Sequence, residues 1–223
     1  ATQSQLDIFE QYFEDLNQQL RVPQVDLDYS DRQLNIDEKI SPFKTFGDCT
    51  YSSGTWQLPA TDTYSNTILY NGQEPGAGQV SFYKLGTVTY NPSLGLPVEL
   101  QRLPRSEFYN IEKSPLTAST KDFPTYLYEN KKLYVRPTSI NQIGNITVDF
   151  LRKPKNIVWA FTVGAQGQYV YDSASSQNFE LQESEQTRLI LKILLYAGII
   201  IRDPQIVQAA ASEVQQNEIN QKS

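Results

Sequence analysis

The sequence predicts an α+β chain, helical at both ends with antiparallel strands between, and three observations carry that expectation. Apolar residues near the N-terminus recur every three or four positions. The stretch Thr125 to Phe161 holds three short alternating runs punctuated by Asn, Lys, Pro and Gly, and Leu189 to Ile201 is apolar apart from Lys192 and Gly198. The first and last patterns are helical, and the middle one belongs to paired strands. A chain of 223 residues is long enough to bury roughly 70% of its unfolded surface, so it needs neither disulfides nor metals to fold. The expected organisation is N-terminal helices over 1–42, an inserted β domain over 43–155, an extended contact segment over 156–182 and C-terminal helices over 183–223.

In order along the chain, Leu6, Phe9, Phe13, Leu16 and Leu20 form one apolar stripe, with Asp7, Glu10, Glu14 and Gln18 opposite and Pro23 closing the helix. Such a stripe serves core packing and packing on a neighbouring subunit equally well. Ser30 or Asp31 is placed to cap a shorter helix through Leu34, Ile36 and Ile40, ended by Pro42. Strands are expected at Cys49 to Tyr51, Thr55 to Leu58, Thr67 to Asn71, Val80 to Tyr83, Thr87 to Tyr90 and Val98 to Leu103. Pro104 to Ile111 fits one or two helical turns with Pro at the permitted first position, and Glu112 to Asp122 reads as a polar linker. Tyr126 to Glu129 and Leu133 to Arg136 are expected to form a hairpin about Asn130-Lys131, because Asn tolerates the left-handed backbone of a tight turn. Ile146 to Leu151 is the next strand. Thr162 to Leu181 reads as a long irregular segment, of the kind that in a compact domain is either functional or disordered, and its Tyr169, Val170, Tyr171 and Phe179 imply that it packs on something.

Glu183 and Glu185 stand where a helix start favours negative charge. The apolar run that follows, thirteen residues from Leu189 to Ile201, is too short to cross a bilayer. It is suited to a central position or to being covered by partners. Asp203-Pro204 pairs a cap with a helix-opening Pro, and Val207, Ala210, Ala211 and Val214 continue at helical spacing.

Chemistry is poorly provided for. His and Met are absent and Cys49 is the only cysteine, which removes the commonest general base, every His-dependent triad, and any intrachain disulfide or multi-cysteine metal site. Cys49 reads as a buried apolar thiol. Gly72 to Gln79 lacks the third Gly of a dinucleotide fingerprint and the Gly-Lys-Ser/Thr of a phosphate loop, and no nucleophile elbow occurs. Acidic residues are plentiful, but two carboxylates carry no glycosidase reading without a known separation across a cleft. Asn145-Ile146-Thr147 matches a glycosylation acceptor but falls in an expected strand. The first apolar positions are interrupted by Asp and Glu, unlike a secretory signal, and Ala1 is a residue that permits removal of an initiator Met. The expectation is a non-enzymatic protein with no cofactor, no metal and no membrane span.

Charge is distributed unevenly. Residues 1–50 hold ten acids and four bases, whereas 101–155 hold ten bases and five acids. Opposite blocks of this kind steer one copy of a protein against the next. The fourteen tyrosines and many Gln and Asn residues suit a polar, wet interface. Arg136, Arg152, Lys153 and Lys155, near Tyr134 and Trp159, suit either an acidic protein neighbour or nucleic-acid phosphate. Trp159, Phe161, Tyr169 and Tyr171 are the candidate interface anchors.

The order of motifs resembles a known family. TWQLPATDTY at Thr55 to Tyr64 is followed by LPVELQRLPRSEF, YLYENKKLYVRP, VDFLRKP, IVWAF and YVYD, then by TRLILKILLYAGI and RDPQIVQAAASEVQQNE. This resembles the head-to-tail connector, or adaptor, ring proteins of tailed bacteriophages, and most closely those of crAss-like phages. Leu133 to Pro137, Phe150 to Pro154 and the final helix pair carry the likeness best; it covers about two-thirds of the chain, and its specificity lies in order and spacing. The resemblance implies a bundle of N- and C-terminal helices with an inserted β domain, and a virion location at the head-tail junction after synthesis in the bacterial cytoplasm. It also implies a ring of usually twelve copies beneath the portal protein, carrying other tail or ring proteins and passing DNA through its channel without sequence-specific binding. A carbohydrate- or receptor-binding β module of a phage tail or cell-surface protein is the alternative, its Tyr and Trp residues then stacking on sugars.

Overall fold

The computed structural model describes residues 1–19, 27–93, 95–201 and 204–222. It is a mixed α+β structure that divides into two compact units, Ala1–Pro42 with Pro154–Ser223, and Phe43–Lys153. Leu20, Pro23 and Asp203 lie outside the described residues, as do the side chains of Leu16, Gln18, Ser30, Asp31 and Val207.

The continuous unit is built on two sheets. The strands are β1 (Lys44–Asp48), β2 (Thr50–Ser52), β3 (Thr55–Gln57), β4 (Thr67–Leu69), β5 (Gln79–Tyr90), β6 (Val98–Glu99), β7 (Gln101–Arg102), β8 (Thr125–Glu129), β9 (Lys132–Arg136) and β10 (Ile146–Arg152). One sheet runs β1-β10-β5-β4, with β6 also on β5; the other runs β2-β3-β9-β8-β7. Cys49, Trp56, Val88, Tyr90, Leu133, Val135, Ile146 and Val148 pool in one core fed by both sheets. Alternation sets the faces: Tyr126 opposite Val135 belongs to this core, while Leu127 opposite Tyr134 packs on the other side with Phe108. Phe108 comes from a short helix after β7, Arg105–Ile111, which covers that face.

Several expectations are corrected. The sheets are mixed rather than antiparallel throughout, because β4 runs parallel to β5 and β7 parallel to β8. The expected break between Val80–Tyr83 and Thr87–Tyr90 is absent. β5 continues through a bulge in which Val88 pairs with Val148 and Leu85 with Phe150, leaving Gly86 and Thr87 opposite Asp149. A Cβ on Gly86 would stand 3.0 Å from the Asp149 carbonyl oxygen, so this position keeps a glycine where two strands close up. Pro104 caps the short helix from outside instead of opening it.

The second unit carries four long helices, Thr2–Gln19, Leu27–Ile40, Gln186–Ile201 and Pro204–Lys222. Numbered with the short helix Arg105–Ile111 as α3, these are α1, α2, α4 and α5. α1 packs on α2 and α4, and α4 on α5. The buried face of α1 is Ser4, Gln5, Ile8, Phe9 and Tyr12. Of the expected stripe Leu6, Phe9 and Phe13, only Phe9 is fully buried; the other two are half-buried because the face is rotated to bring Ser4 and Gln5 inward. α2 starts at Leu27, so Ser30 and Asp31 lie within it and not at its cap. Leu34 is exposed while Ile36 and Ile40 are buried.

α4 inverts the usual pattern. Its Arg188 and Lys192 are buried, while Ile190 and Leu194, one turn apart, are exposed. Glu185 is 1% exposed; its carboxylate meets Lys39 at 2.6 Å and Arg188 at 3.4 Å. Arg188 and Lys192 both donate to the side-chain oxygen of Gln11, the latter at 3.1 Å. Tyr196 donates to Asp7, and that bond holds its hydroxyl proton up to a pKa of about 12. A buried cluster of this kind ties α1, α2 and α4 together through hydrogen-bonded charges.

Candidate interaction surface

Between Pro154 and α4 the helical unit extends an arm. The segment expected to be irregular contains two strands, β11 (Phe161–Val163) and β12 (Tyr169–Tyr171), paired antiparallel with Phe161 opposite Tyr171. The turn is closed by Gly164 donating to the Gln168 carbonyl at 2.8 Å and by Gly167, whose φ of +80° suits a residue without a Cβ. Below the strands, Val158 and Gln177 exchange both backbone bonds, and the Asp172 N–H reaches the Ala160 carbonyl at 3.0 Å.

The root is held by polar side chains. Gln5 donates to the Lys155 carbonyl at 2.9 Å and accepts from the Glu180 N–H at 3.0 Å, gripping both sides of the arm at once. The Lys155 N–H donates to the Glu180 carboxylate at 2.8 Å, and the Ile157 N–H to the Thr2 hydroxyl at 3.2 Å. These contacts fix where the arm leaves the helices.

Every residue of β11 and β12 is exposed, on both faces. Trp159 is 64% exposed and Tyr169 69%, with Phe161, Val163, Val170 and Tyr171 also exposed. The rings support one another: Trp159 and Tyr171 stack with centroids 6.4 Å apart, Trp159 and Phe161 lie at 5.5 Å, and Phe161 and Tyr169 meet edge-on at 4.7 Å. A two-stranded ribbon without a covered face is marginal in water, and contiguous exposed apolar area on this scale marks an interaction site. Of the eight sequence-derived candidates, the structure gathers Trp159, Phe161, Tyr169 and Tyr171 on one ribbon.

The basic candidates are not gathered. The Arg136 guanidinium lies over the Phe108 ring at 5.6 Å and that of Arg152 over Phe43 at 5.4 Å. These residues stand on different sheets. Lys153 follows β10 and is exposed, whereas Lys155 belongs to the arm root. Arg136 and Arg152 thus each lie over a different aromatic ring, on different sheets.

Gln5, Gln11 and Glu185 were not among the sequence candidates. Lys192 within an apolar run was the one outward sign of the polar cluster. Among the described residues no group of three His, Cys, Asp or Glu side chains is placed to hold a metal ion, and no helix is long and apolar enough to cross a membrane. Searches against protein-family models and against curated proteins find no match for this chain.

Proposed function

We propose that this protein is a non-enzymatic structural subunit that works by assembly, a head-to-tail connector ring protein of a tailed bacteriophage. The observation that carries the reading is the aromatic arm: a ribbon exposed on both faces, rooted by a set of half-buried hydrogen bonds, is built to be covered by another protein surface. In this reading α1, α2, α4 and α5 form the bundle and the β unit is its insertion. The ring extends the portal's DNA channel and docks tail components, with DNA passing unread. Exposed Ile190 and Leu194 on α4 support a second covered face. The order of sequence motifs supports the phage assignment specifically.

Mass photometry and negative-stain images of the purified protein, alone and with the portal, test this. Rings are expected, and Trp159→Ala is expected to weaken assembly at least about tenfold, as loss of an aromatic anchor does, with an unchanged thermal melt. Monomers at every concentration, with and without the portal, would sink the proposal. A Trp159→Ala protein that misfolds would show that Trp159 is core and not anchor.

One observation favours a second reading. Trp159 and Tyr171 present ring faces within 30° of parallel, a geometry that also suits a sugar ring. Selective glycan-array binding by a monomeric protein, lost in Trp159→Ala, would select the carbohydrate-binding module.

A further inference from the structure

The β unit carries an apolar surface that the arm does not share. Chain leaving β5, chain entering β8 and chain leaving β9 converge on one groove of about 600 Å³, lined by Tyr90, Pro92, Leu96, Lys121, Asp122 and Gln142 among others. Each of these segments exposes a bulky apolar side chain: Leu96 is 83% exposed, Phe123 80% and Ile143 78%. Leu96 lines the groove itself, and the other two follow the lining residues Asp122 and Gln142 in the chain. An exposed leucine in the groove, with an exposed bulky apolar side chain next in the chain to a lining residue on each of the other two segments, marks this end of the β unit for a partner.

Charge selects the partner. The helical unit, Ala1–Pro42 with Pro154–Ser223, contains 16 acids and 8 bases, a net −8, while Phe43–Lys153 contains 9 acids and 11 bases, a net +2. A contact between like units would set −8 against −8 or +2 against +2, whereas a contact from the helical unit of one copy to the β unit of the next sets opposite signs together. The arm matches the groove locally as well. Val158 to Tyr171 carries no charged residue, and the groove's Lys121 and Asp122 cancel.

We propose that this groove receives the aromatic arm of a second copy of the chain. In the ring the contact is heterologous: each arm enters the groove of the next copy in one direction only, and a rotation between copies that closes makes the chain of contacts a ring. The inference rests on the reading of the protein as a self-assembling subunit and adds which surface takes the arm.

Disulfide trapping tests it in the full chain. Cys49 is buried and its thiol is held protonated, so introduced cysteines pair without competition. Val163→Cys stands on the arm and Gln142→Cys in the groove; Tyr169→Cys with Ser139→Cys, Ser139 also lining the groove, is a second pair that guards against poor sulfur geometry. Under mild oxidation each double variant is expected to give a ladder of multiples on a non-reducing gel. The two single variants of a pair, mixed, are expected to give one dimer band, and neither alone should give any. Mass photometry on the same samples reports the assembly state. Assembled protein with no disulfide in either double variant overturns the arm-to-groove contact and leaves the ring reading standing. Dimers from Val163→Cys alone indicate arm against arm and also overturn it. Protein that stays monomeric throughout overturns both readings.

Discussion

Among the described residues the buried Tyr12 hydroxyl has no hydrogen-bonding partner, and burial together with the nearby Glu185 carboxylate pushes its pKa upward. An unpaired buried hydroxyl costs about 1–3 kcal/mol. Tyr12→Phe is therefore expected to leave stability unchanged or to raise it by about 1 kcal/mol, read as a shift of the urea midpoint. Burial acts the same way on Tyr70 and on Cys49, whose thiol is pushed from 9.0 up to about 12. A group whose folded pKa is raised contributes stability that is complete below its unfolded pKa and is lost as pH climbs toward the folded one. Melting temperature is expected to fall between pH 9 and 12, and Cys49→Ala to flatten that fall; identical slopes in the two proteins would refute the assignment. Cys49 could be read as buried from its type alone. Gln5 could not, because its role depends on backbone groups 150 and 175 residues away.

At the scale of elements, the β8–β9 hairpin was legible because its signals are local. Asn130 and Lys131 adopt φ of +51° and +60°, the paired left-handed conformation of a primed turn. Asn130→Val puts a β-branched residue where it costs about 1–2 kcal/mol, and chemical denaturation should record a loss of that size. β1 was hidden for the opposite reason. It buries Thr45 and Gly47 and exposes Phe46, so its polarity pattern points the wrong way. Gly47 is needed because a Cβ there would stand 2.7 Å from the Cβ of Pro59 and from the Thr61 carbonyl oxygen. The arm was read as irregular because its two strands are three residues each, too short for an alternating period to register. Its aromatic residues, though, marked it as a contact segment.

On the scale of the whole molecule, the charge asymmetry between the two units and the uncharged arm have separable signatures. Complementary fields act on encounter, and salt screens them over about 8–10 Å. Desolvated aromatic contacts act mainly on dissociation. Raising salt from low to high ionic strength is expected to slow self-association about tenfold while leaving the dissociation rate nearly unchanged, measurable by light scattering after rapid dilution or mixing. Equal salt dependence in both rates would mean that charge shapes the final contact and not the approach. The alternating and helical periods of the sequence made the α+β class legible. The polar cluster around Glu185 and the groove of the β unit were not, since each is assembled from segments that no short window contains.

The grip of Gln5 on the arm also has a temporal side. Its two partners, Lys155 and Glu180, lie 150 and 175 residues downstream. At about 5–20 residues per second of synthesis, α1 waits many seconds for them, and the loop to be closed adds an entropic cost that grows with the logarithm of its length. Phe43–Lys153 is contiguous and emerges in full during that interval. The ribbon thus becomes rooted only after residue 180 has left the ribosome, by which time the whole of Phe43–Lys153 has already been made.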